Sequence, residues 1–211
     1  METKITQLVL SLSTHEDAFI TIFKSDPSLV NQGDSNGMTM LMVACLNSRH
    51  FGNHIVSYLL KIGVNPNIQD KNGNTALITS SQYSADSSTD ETIKILIRAG
   101  ADVNIRNRTG FNALMVASGC TKSTSTENTV KMLIDACSDL DKQEYGFNRT
   151  ALMYSVAHGT VNTTKLLIDG GANIFLRNKN GSTATWLASR SNDRREIRLL
   201  LEEAERNKKN N

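Results

Sequence analysis

The sequence has little of what marks several large classes of protein. Among 211 residues there are 2 Pro, 1 Trp and 3 Cys, and aromatic residues make up 5% of the chain. Three scattered cysteines do not suit a disulfide framework and favour a reducing compartment such as the cytoplasm. No apolar run approaches the roughly 18 residues of a membrane-spanning helix, and residues 8–12 are too short for the core of a signal peptide. A soluble cytoplasmic protein is therefore expected.

A marked excess of charge of one sign is also missing. The chain has 23 Lys and Arg against 21 Asp and Glu, a formal net charge of +2. Because nucleic-acid binders concentrate cations against phosphate, this balance argues against that class. With 39% apolar and 21% charged residues, the chain can bury a core and does not have the composition of a disordered segment.

Signatures of catalysis are absent as well. There is no Gly-rich phosphate loop, no Gly-x-Ser-x-Gly elbow and no Cys-x-x-Cys pair. The nearest metal candidate is Cys45 with His50 and His54, but a closed zinc site needs four ligands and no fourth lies nearby. A buried thiol beside two exposed loop histidines is the favoured interpretation, and Cys120 is assigned to a loop. The sequence predicts no catalytic residue, no metal and no cofactor.

The chain does contain one five-residue motif in five copies, which start at residues 37, 73, 110, 148 and 181 and are called the phrase below. Its third position is Thr or Asn, and successive copies are 36, 37, 38 and 33 residues apart. These third positions are Thr39, Thr75, Asn112, Thr150 and Thr183. A hydroxyl or amide at that place can cap a helix, and regular spacing of this length indicates a solenoid of stacked units rather than two ordinary domains.

A second apolar helix is predicted after each phrase. In one copy Ile93, Leu96 and Ile97 share a face at helical spacing, while Lys94 and Arg98 face water. Glycines then stand where a helix must end in a left-handed conformation, and Asn-Gly pairs suit tight turns. These glycines are Gly63, Gly100 and Gly171, and the Asn-Gly pairs begin at 36, 72 and 180.

These residues resemble the ankyrin repeat, in which a Thr-x-Leu phrase opens one helix, a second helix runs back, and Gly-Ala-Asp-x-Asn leads into a hairpin. The resemblance covers nearly the whole chain. It implies an all-α ankyrin solenoid of stacked helix-turn-helix units with hairpin tips, about six units including capping units, in one array over 1–211. The expected parts are an N-terminal cap at 1–33, full repeats at 34–69, 70–106, 107–143 and 144–177, a C-terminal cap at 178–206 and a tail at 207–211.

Departures from the ankyrin pattern carry expectations of their own. The two long insertions between helices, 82–91 and 119–128, are rich in Ser and Thr and should be solvated, mobile loops. Cys137 stands in place of a turn glycine, so that turn should be altered. The hairpin before Asn148 has one extra residue and should project differently. The residues that stand in place of the ankyrin His are Met42, Ile78, Met115, Met153 and Trp186. Adjacent units should therefore pack there through apolar contacts.

Ankyrin arrays bind partners on a concave face made of hairpin tips and first helices. The resemblance implies a non-catalytic scaffold or adaptor that binds a protein, acts as a monomer and needs neither nucleic acid nor a membrane. Aromatic and Arg side chains at such positions have the chemistry of interaction hot spots. The predicted partner-binding residues are Tyr83, Arg108, Phe111, Tyr145, Phe147, Arg149 and His158. For Phe111 and Phe147, packing onto neighbouring tips is an equally weighted alternative.

The hairpin edge is locally basic, which favours an acidic or phosphorylated partner segment. Its cations are Lys71, Arg106, Arg108, Arg149, Arg177 and Lys179. The same edge keeps nucleic-acid binding open as a less favoured function. Asn104, with Leu96 before it, is similar to sites modified by asparaginyl hydroxylases in ankyrin proteins; the alternative is that its side chain only closes a turn.

The sequence of these repeats also resembles that of the ankyrin families of amoeba-infecting giant DNA viruses. Bacteria that live in amoebae carry similar arrays. The viral resemblance implies a host protein as partner and the host cytoplasm as location. It also raises recruitment of substrates to a host ubiquitin ligase. Only one helix is expected after residue 194, too little for an appended ligase-binding module, so the array itself would have to hold both partners.

Overall fold

Residues 31–136 and 139–209 are described in the computed structural model of the protein. The predicted N-terminal cap lies outside these ranges except for 31–33, and so do Cys137 and the last two residues of the predicted tail. Eleven α-helices and one 3-10 helix lie wholly within the described ranges, which contain no β-strand. One isolated bridge joins Gly33 to Thr39.

The helices are short, and the last one is the longest. They are α1 (Met40–Leu46), α2 (Ser48–Phe51), α3 (Asn53–Lys61), α4 (Ala76–Gln82), α5 (Asp90–Arg98), α6 (Ala113–Cys120), α7 (Glu127–Ala136), α8 (Ala151–His158), α9 (Val161–Asp169), α10 (Ala184–Ser189) and α11 (Arg195–Lys209). The 3-10 helix spans Asn192–Arg194.

Five units, each made of a turn, a first helix and a second helix, follow one another along the described chain. The first helices α1, α4, α6, α8 and α10 pack side by side in one row, and the second helices α3, α5, α7, α9 and α11 form another. Each first helix also packs against the second helix of its own unit. Because no unit can bury both of its helices alone, the stack itself supplies the core. This is the all-α solenoid that the sequence predicts.

Every first helix begins at the same kind of N-cap. The capping side chain accepts a hydrogen bond from the backbone N–H three residues later, an amide that the helix would otherwise leave free. The caps are the repeated third positions of the phrase, Thr39, Thr75, Asn112, Thr150 and Thr183. The predicted capping is confirmed. The predicted left-handed helix ends are confirmed too, with φ of 93°, 85° and 97° at Gly63, Gly100 and Gly171.

The core lies between the two rows of helices. On the second helices one leucine of each unit is fully buried; these are Leu59, Leu96, Leu133, Leu167 and Leu201. On the first helices the residues that replace the ankyrin His are buried in four units, at Met42, Ile78, Met115 and Met153. The expected apolar packing between units is therefore present there. In the fifth unit Trp186 is 49% exposed.

Side-chain hydrogen bonds that the sequence analysis did not foresee join the second helices. The chain reads Thr-x-x-Thr at the start of α5, α7 and α9, and these hydroxyls bond to a polar side chain of the preceding unit. The Asp90 carboxylate accepts hydrogen bonds from Thr126, from Thr129 at 2.7 Å and from Asn128 at 2.9 Å. Equivalent links run from Thr92 to Asn53 (2.7 Å), from Thr160 to Glu127 (2.5 Å) and from Thr163 to Thr121 (2.9 Å).

The Ser/Thr-rich insertions belong to this polar layer, so the expectation of solvated loops is wrong for much of their length. Ser84, Ser88 and Ser125 are buried. The Ser84 and Ser125 hydroxyls lie 3.3 Å apart, and the Ala85 N–H donates to the Thr124 carbonyl at 3.0 Å. Insertions of adjacent units therefore stack on one another through hydrogen bonds, as the helices do through apolar contacts.

Some helix boundaries also differ from those expected. Cys120 is the last residue of α6 rather than part of a loop, and Gly119 before it lies in the same helix, close to Tyr154. His50 and His54 are exposed, as expected, but they lie in α2 and α3. The last helix continues to Lys209, three residues beyond the predicted end of the cap. Basic side chains in the last turn favour that extension, since they face the negative end of the helix dipole.

Candidate partner-binding surface

Four of the five turns are closed by an Asp or Asn side chain. In each, the side-chain oxygen of the first residue accepts hydrogen bonds from the backbone N–H groups two and four residues later, the geometry of an Asx turn. These residues are Asp34, Asp70, Asn107 and Asn178. Each of these turns is thereby closed by hydrogen bonds within its own unit.

The fourth turn has one more residue, and Glu144 replaces the shorter Asp or Asn there. Its carboxylate accepts from the N–H groups of Gly146 (2.5 Å), Phe147 (2.9 Å) and Arg149 (3.1 Å), and the side chain is buried. Asn148 takes the place of the turn glycine with φ 55°, the one positive φ at a non-glycine among the described residues. The longer side chain spans the longer turn, which sequence reasoning missed although the Asp/Asn pattern of the other turns points to it.

The tip of the fourth turn carries two exposed aromatic rings, each paired with an arginine. Tyr145 is 58% exposed and Phe147 55% exposed. The guanidinium carbon of Arg106 lies 4.6 Å from the centroid of the Tyr145 ring, and that of Arg149 lies 5.3 Å from the centroid of Phe147. Such cation–π pairs hold the rings in place while leaving much of their surface to water.

A shallow cleft lies next to this tip along the first helices. Its volume is about 300 Å³, and it is lined among others by Phe111, Met115, Cys120, Tyr154 and His158. The rings of Phe111 and Tyr154 pack with their centroids 4.9 Å apart at an angle of 49°. Phe111 is therefore half-buried by local packing and presents only part of its ring.

Arg149 connects the tip to the cleft. Its guanidinium carbon lies 5.9 Å from the Tyr154 ring as well as 5.3 Å from the Phe147 ring. One cation thus stands between an exposed ring on the tip and a half-buried ring in the cleft. We call Tyr145, Phe147, Arg149, Phe111, Tyr154 and His158 together the tip-cleft surface.

Positive charge dominates around His158. Partial burial and then the nearby cations Arg194, Arg149 and Lys122 hold the pKa of His158 below its usual value of 6.5. In the same cleft burial first, and then the negative charge of Glu144, raises the pKa of Tyr154 above its usual value. The imidazole is therefore neutral near pH 7, and an anion bound beside it would raise its pKa.

Five of the seven predicted binding residues, Phe111, Tyr145, Phe147, Arg149 and His158, fall on this surface. Arg108 lies on the neighbouring tip, exposed, with its backbone N–H bonded to the Asn72 carbonyl at 2.9 Å. The backbone carbonyl of Tyr83 accepts from Asp86 and Ser88 and so organises an insertion. Tyr154 was missed, although it is the one aromatic residue among the equivalent positions Val43, Thr79, Val116 and Leu187.

The other singled-out residues lie elsewhere. Cys45 is fully buried, and burial raises the pKa of its thiol to about 12, which suits an inert packing group. No group of His, Cys, Asp or Glu in the described ranges is placed to hold a metal ion. The backbone N–H of Asn104 donates to the Asp102 carboxylate at 2.8 Å; hydroxylation of Asn104 stays a prediction. Among the described helices, none has the length and apolar character needed to cross a membrane.

Asx-closed turns, two rows of short helices and stacking between equivalent helices define a helical-repeat protein of the ankyrin type. The chain belongs to the ankyrin repeat family: the family model described as "Ankyrin repeats (3 copies)" matches residues 6–107, 49–124 and 114–211. No curated protein matches the sequence.

Solved structures share the fold. A chain in the structure of a predatory endopeptidase from Bdellovibrio bacteriovorus in complex with an immunity protein is 24% identical to this chain. The match covers 96% of this chain and 99% of that one, with a TM-score of 0.74. At this level of identity the likeness speaks for the fold alone.

Proposed function

We propose that this protein is a non-catalytic interaction module that binds a protein partner on the tip-cleft surface and acts as a monomer. The observation that carries the proposal is the position of Arg149 between the Phe147 and Tyr154 rings. Exposed aromatic rings held by guanidinium groups beside a cleft are the composition of an interaction hot spot. Neither exposed ring belongs to the buried core, so core packing does not account for these two aromatic residues.

The charge around the cleft favours an acidic partner segment. Arg149, Arg194 and Lys122 each lower the pKa of His158, so all three place positive potential at the cleft. A partner carboxylate or phosphate would meet complementary charge there, and an apolar side chain beside it would enter the cleft. The immunity protein's structure with an endopeptidase is in keeping with a protein partner for a fold of this kind.

The proposal also includes a viral origin, a host protein as partner and a cytoplasmic site of action. These three points rest on the sequence resemblance to viral ankyrin families described above. Recruitment of a substrate to a host ubiquitin ligase is a special case, in which the array would hold two proteins at once. Capture from amoebal lysate followed by identification of the bound proteins separates these possibilities.

The test compares three forms of the full chain as bait in amoebal lysate at moderate salt. The double variant Tyr145→Ala/Phe147→Ala removes both exposed rings, and Phe175→Ala removes a ring that is 44% exposed away from this surface. A partner held by the wild type and by Phe175→Ala should be lost with the double variant. The purified partner should then bind it at least about tenfold more weakly, since hot-spot truncation costs about 2 kcal/mol.

The pH dependence of that binding provides a second, independent readout. The pKa of free His158 lies below 6.5, and a partner anion beside it would raise that pKa, so affinity should increase as the pH falls from neutral towards and below 6.5. His158→Gln should flatten this dependence of affinity on pH, whereas Phe175→Ala should keep it. A partner that binds all three baits equally, or whose affinity is independent of pH, would place the interaction on another face.

A further inference from the structure

The C-terminal end of the array keeps half of an interface that is filled at every described junction before it. At four junctions the carbonyl of one turn accepts the backbone N–H of the next turn, at 2.8–3.1 Å. The acceptors and donors are Asn36 and Lys71, Asn72 and Arg108, Thr109 and Tyr145, and Phe147 and Lys179. The fifth turn presents the Asn180 carbonyl at the equivalent place, and no group in the described ranges donates to it.

The adjoining positions are open in the same way. A Cβ atom added to Gly110 would lie 2.6 Å from the Tyr145 nitrogen of the next turn, whereas at Gly181 nothing lies within 4 Å. Met153 is 1% exposed because α10 covers it, while Trp186, at the same position of the last unit, is 49% exposed. No described residue therefore covers this edge of the last turn and first helix.

The second helix of the last unit ends the array differently. With Leu201 aligned on the fully buried Leu133, Arg198 and Glu202 take the places of Val130 and Ile134. The Arg198 Nε and Glu202 Oε1 atoms lie 3.6 Å apart. Charged side chains resist burial, so α11 disfavours the packing of a further full repeat on its half of the end face. The half that stays open is the one that a turn fills at the internal junctions.

We propose that this edge is a second binding site, separate from the tip-cleft surface, and that it takes a hairpin turn of another protein. The site is a notch of about 400 Å³ lined by Arg177, Asn180, Gly181, Ser182, Thr183 and Trp186. The incoming turn of the partner is closed by an Asp or Asn side chain. It donates one backbone N–H to the Asn180 carbonyl and places an apolar side chain against Trp186. This occupant follows from continuity, because turns of that kind fill the same place at the internal junctions.

The rim of the notch adds a charge preference. Arg177 donates to the Gly181 carbonyl at 2.7 Å and so stays at the edge, and the guanidinium carbon of Arg190 lies 5.3 Å from the Trp186 ring. With Lys179 exposed beside them, the rim is cationic. Acidic residues flanking the incoming turn are therefore favoured.

The chain has one tryptophan and four tyrosines, so emission excited beyond the tyrosine absorption band comes from Trp186 and reports on this notch alone. The probe is a disulfide-cyclised peptide copying residues 68–75, whose turn, closed by Asp70, fills the equivalent place beside Gly37 in the array. Titration into the full-length protein should shift the emission to the blue and saturate below about 1 mM. A cyclic peptide of scrambled sequence should not shift the emission.

Calorimetry with the same peptide supplies the matched variants. Trp186→Ala should weaken binding at least about tenfold, while Leu199→Ala, which removes a side chain 48% exposed on α11, should not change it. Tyr145→Ala/Phe147→Ala should also bind the peptide normally, which separates this site from the proposed function. No shift up to about 1 mM, or equal binding by Trp186→Ala, overturns the proposal. A tryptophan emission that changes with protein concentration in the absence of peptide would also overturn the proposal, because a second copy of this chain would then fill the notch.

Discussion

The junction between the third and fourth units and the C-terminal end of the array have equivalent positions with opposite surroundings. Met115 is fully buried and Trp186 half-exposed, although each follows its capping residue by three. The next turn crowds Gly110, whereas nothing lies within 4 Å of a Cβ atom added to Gly181. In a solenoid, the neighbouring unit decides whether a position is core or surface, because each unit contacts only the units beside it.

The largest expected effect separates the two regions at that position. Met115→Ala should lower the free energy of unfolding by about 3 kcal/mol, because a buried side chain is lost and the surrounding units cannot close the cavity fully. Trp186→Ala should cost about 1 kcal/mol, since half of the ring is already in water. Urea denaturation followed by circular dichroism measures both. Equal losses would mean that Trp186 is covered in solution.

A smaller difference is expected at the turn glycines. Gly110 and Gly181 have φ of 89° and 76°, so an Ala at either place meets similar backbone strain of about 1–2 kcal/mol. Only Gly110→Ala also forces a Cβ atom against the Tyr145 nitrogen at 2.6 Å. That variant should therefore be destabilised further, by about 1 kcal/mol beyond Gly181→Ala. Thermal and urea unfolding of the two variants side by side tests this; the reverse order would contradict it.

The third expected loss, the smallest in total when the more damaging variant of each pair is compared, concerns the polar layer of the second helices. Asp90→Ala removes the acceptor for Thr126, Thr129 and Asn128 and should cost about 2 kcal/mol, since hydrogen bonds to a charged group are lost together. Glu91→Ala, its neighbour in sequence and charge, loses an exposed pair with Lys94 and should change stability by less than about 0.5 kcal/mol.

Hydrogen exchange shows where that loss is felt. Faster exchange of amides in α5 and α7, with α11 unchanged, is the expected pattern for Asp90→Ala, because stability in a repeat array is local. The C-terminal unit lacks an equivalent link, since Arg194 stands where Thr160 begins the previous second helix. Uniform acceleration across the described helices would show that the array unfolds as one body.

Much of the fold follows from the sequence because its signals are local. The capping Thr at 39, 75, 150 and 183 and the glycines that end the second helices act within a few residues, and the periodic apolar faces do the rest. The Thr-x-x-Thr layer was not foreseen, because its bonds join residues more than 30 positions apart. The Ser-rich insertions were misjudged for the same reason: their composition is polar, and only stacking on a neighbour buries them.

The candidate site was less accessible to sequence reasoning. The position of Arg149 and the tip aromatics follows from repeat register, so these residues could be named. Tyr154 could not be weighed until its contact with Phe111 placed it at the cleft, and the positive potential at His158 depends on Arg194 from the next unit. Pairings across units depend on the geometry of the stack, which a single sequence does not specify.

The longer turn at Glu144 shows how such a chain can change without losing its order. One added residue is absorbed within a single turn, and the bonds to both neighbours survive: Tyr145 still donates to Thr109 at 3.1 Å, and Lys179 to Phe147 at 2.8 Å. One methylene more in the closing side chain is enough to accommodate the insertion. An evolving lineage can therefore alter the length and the exposed residues of one tip, and so explore new partners, while the remaining units keep their alignment.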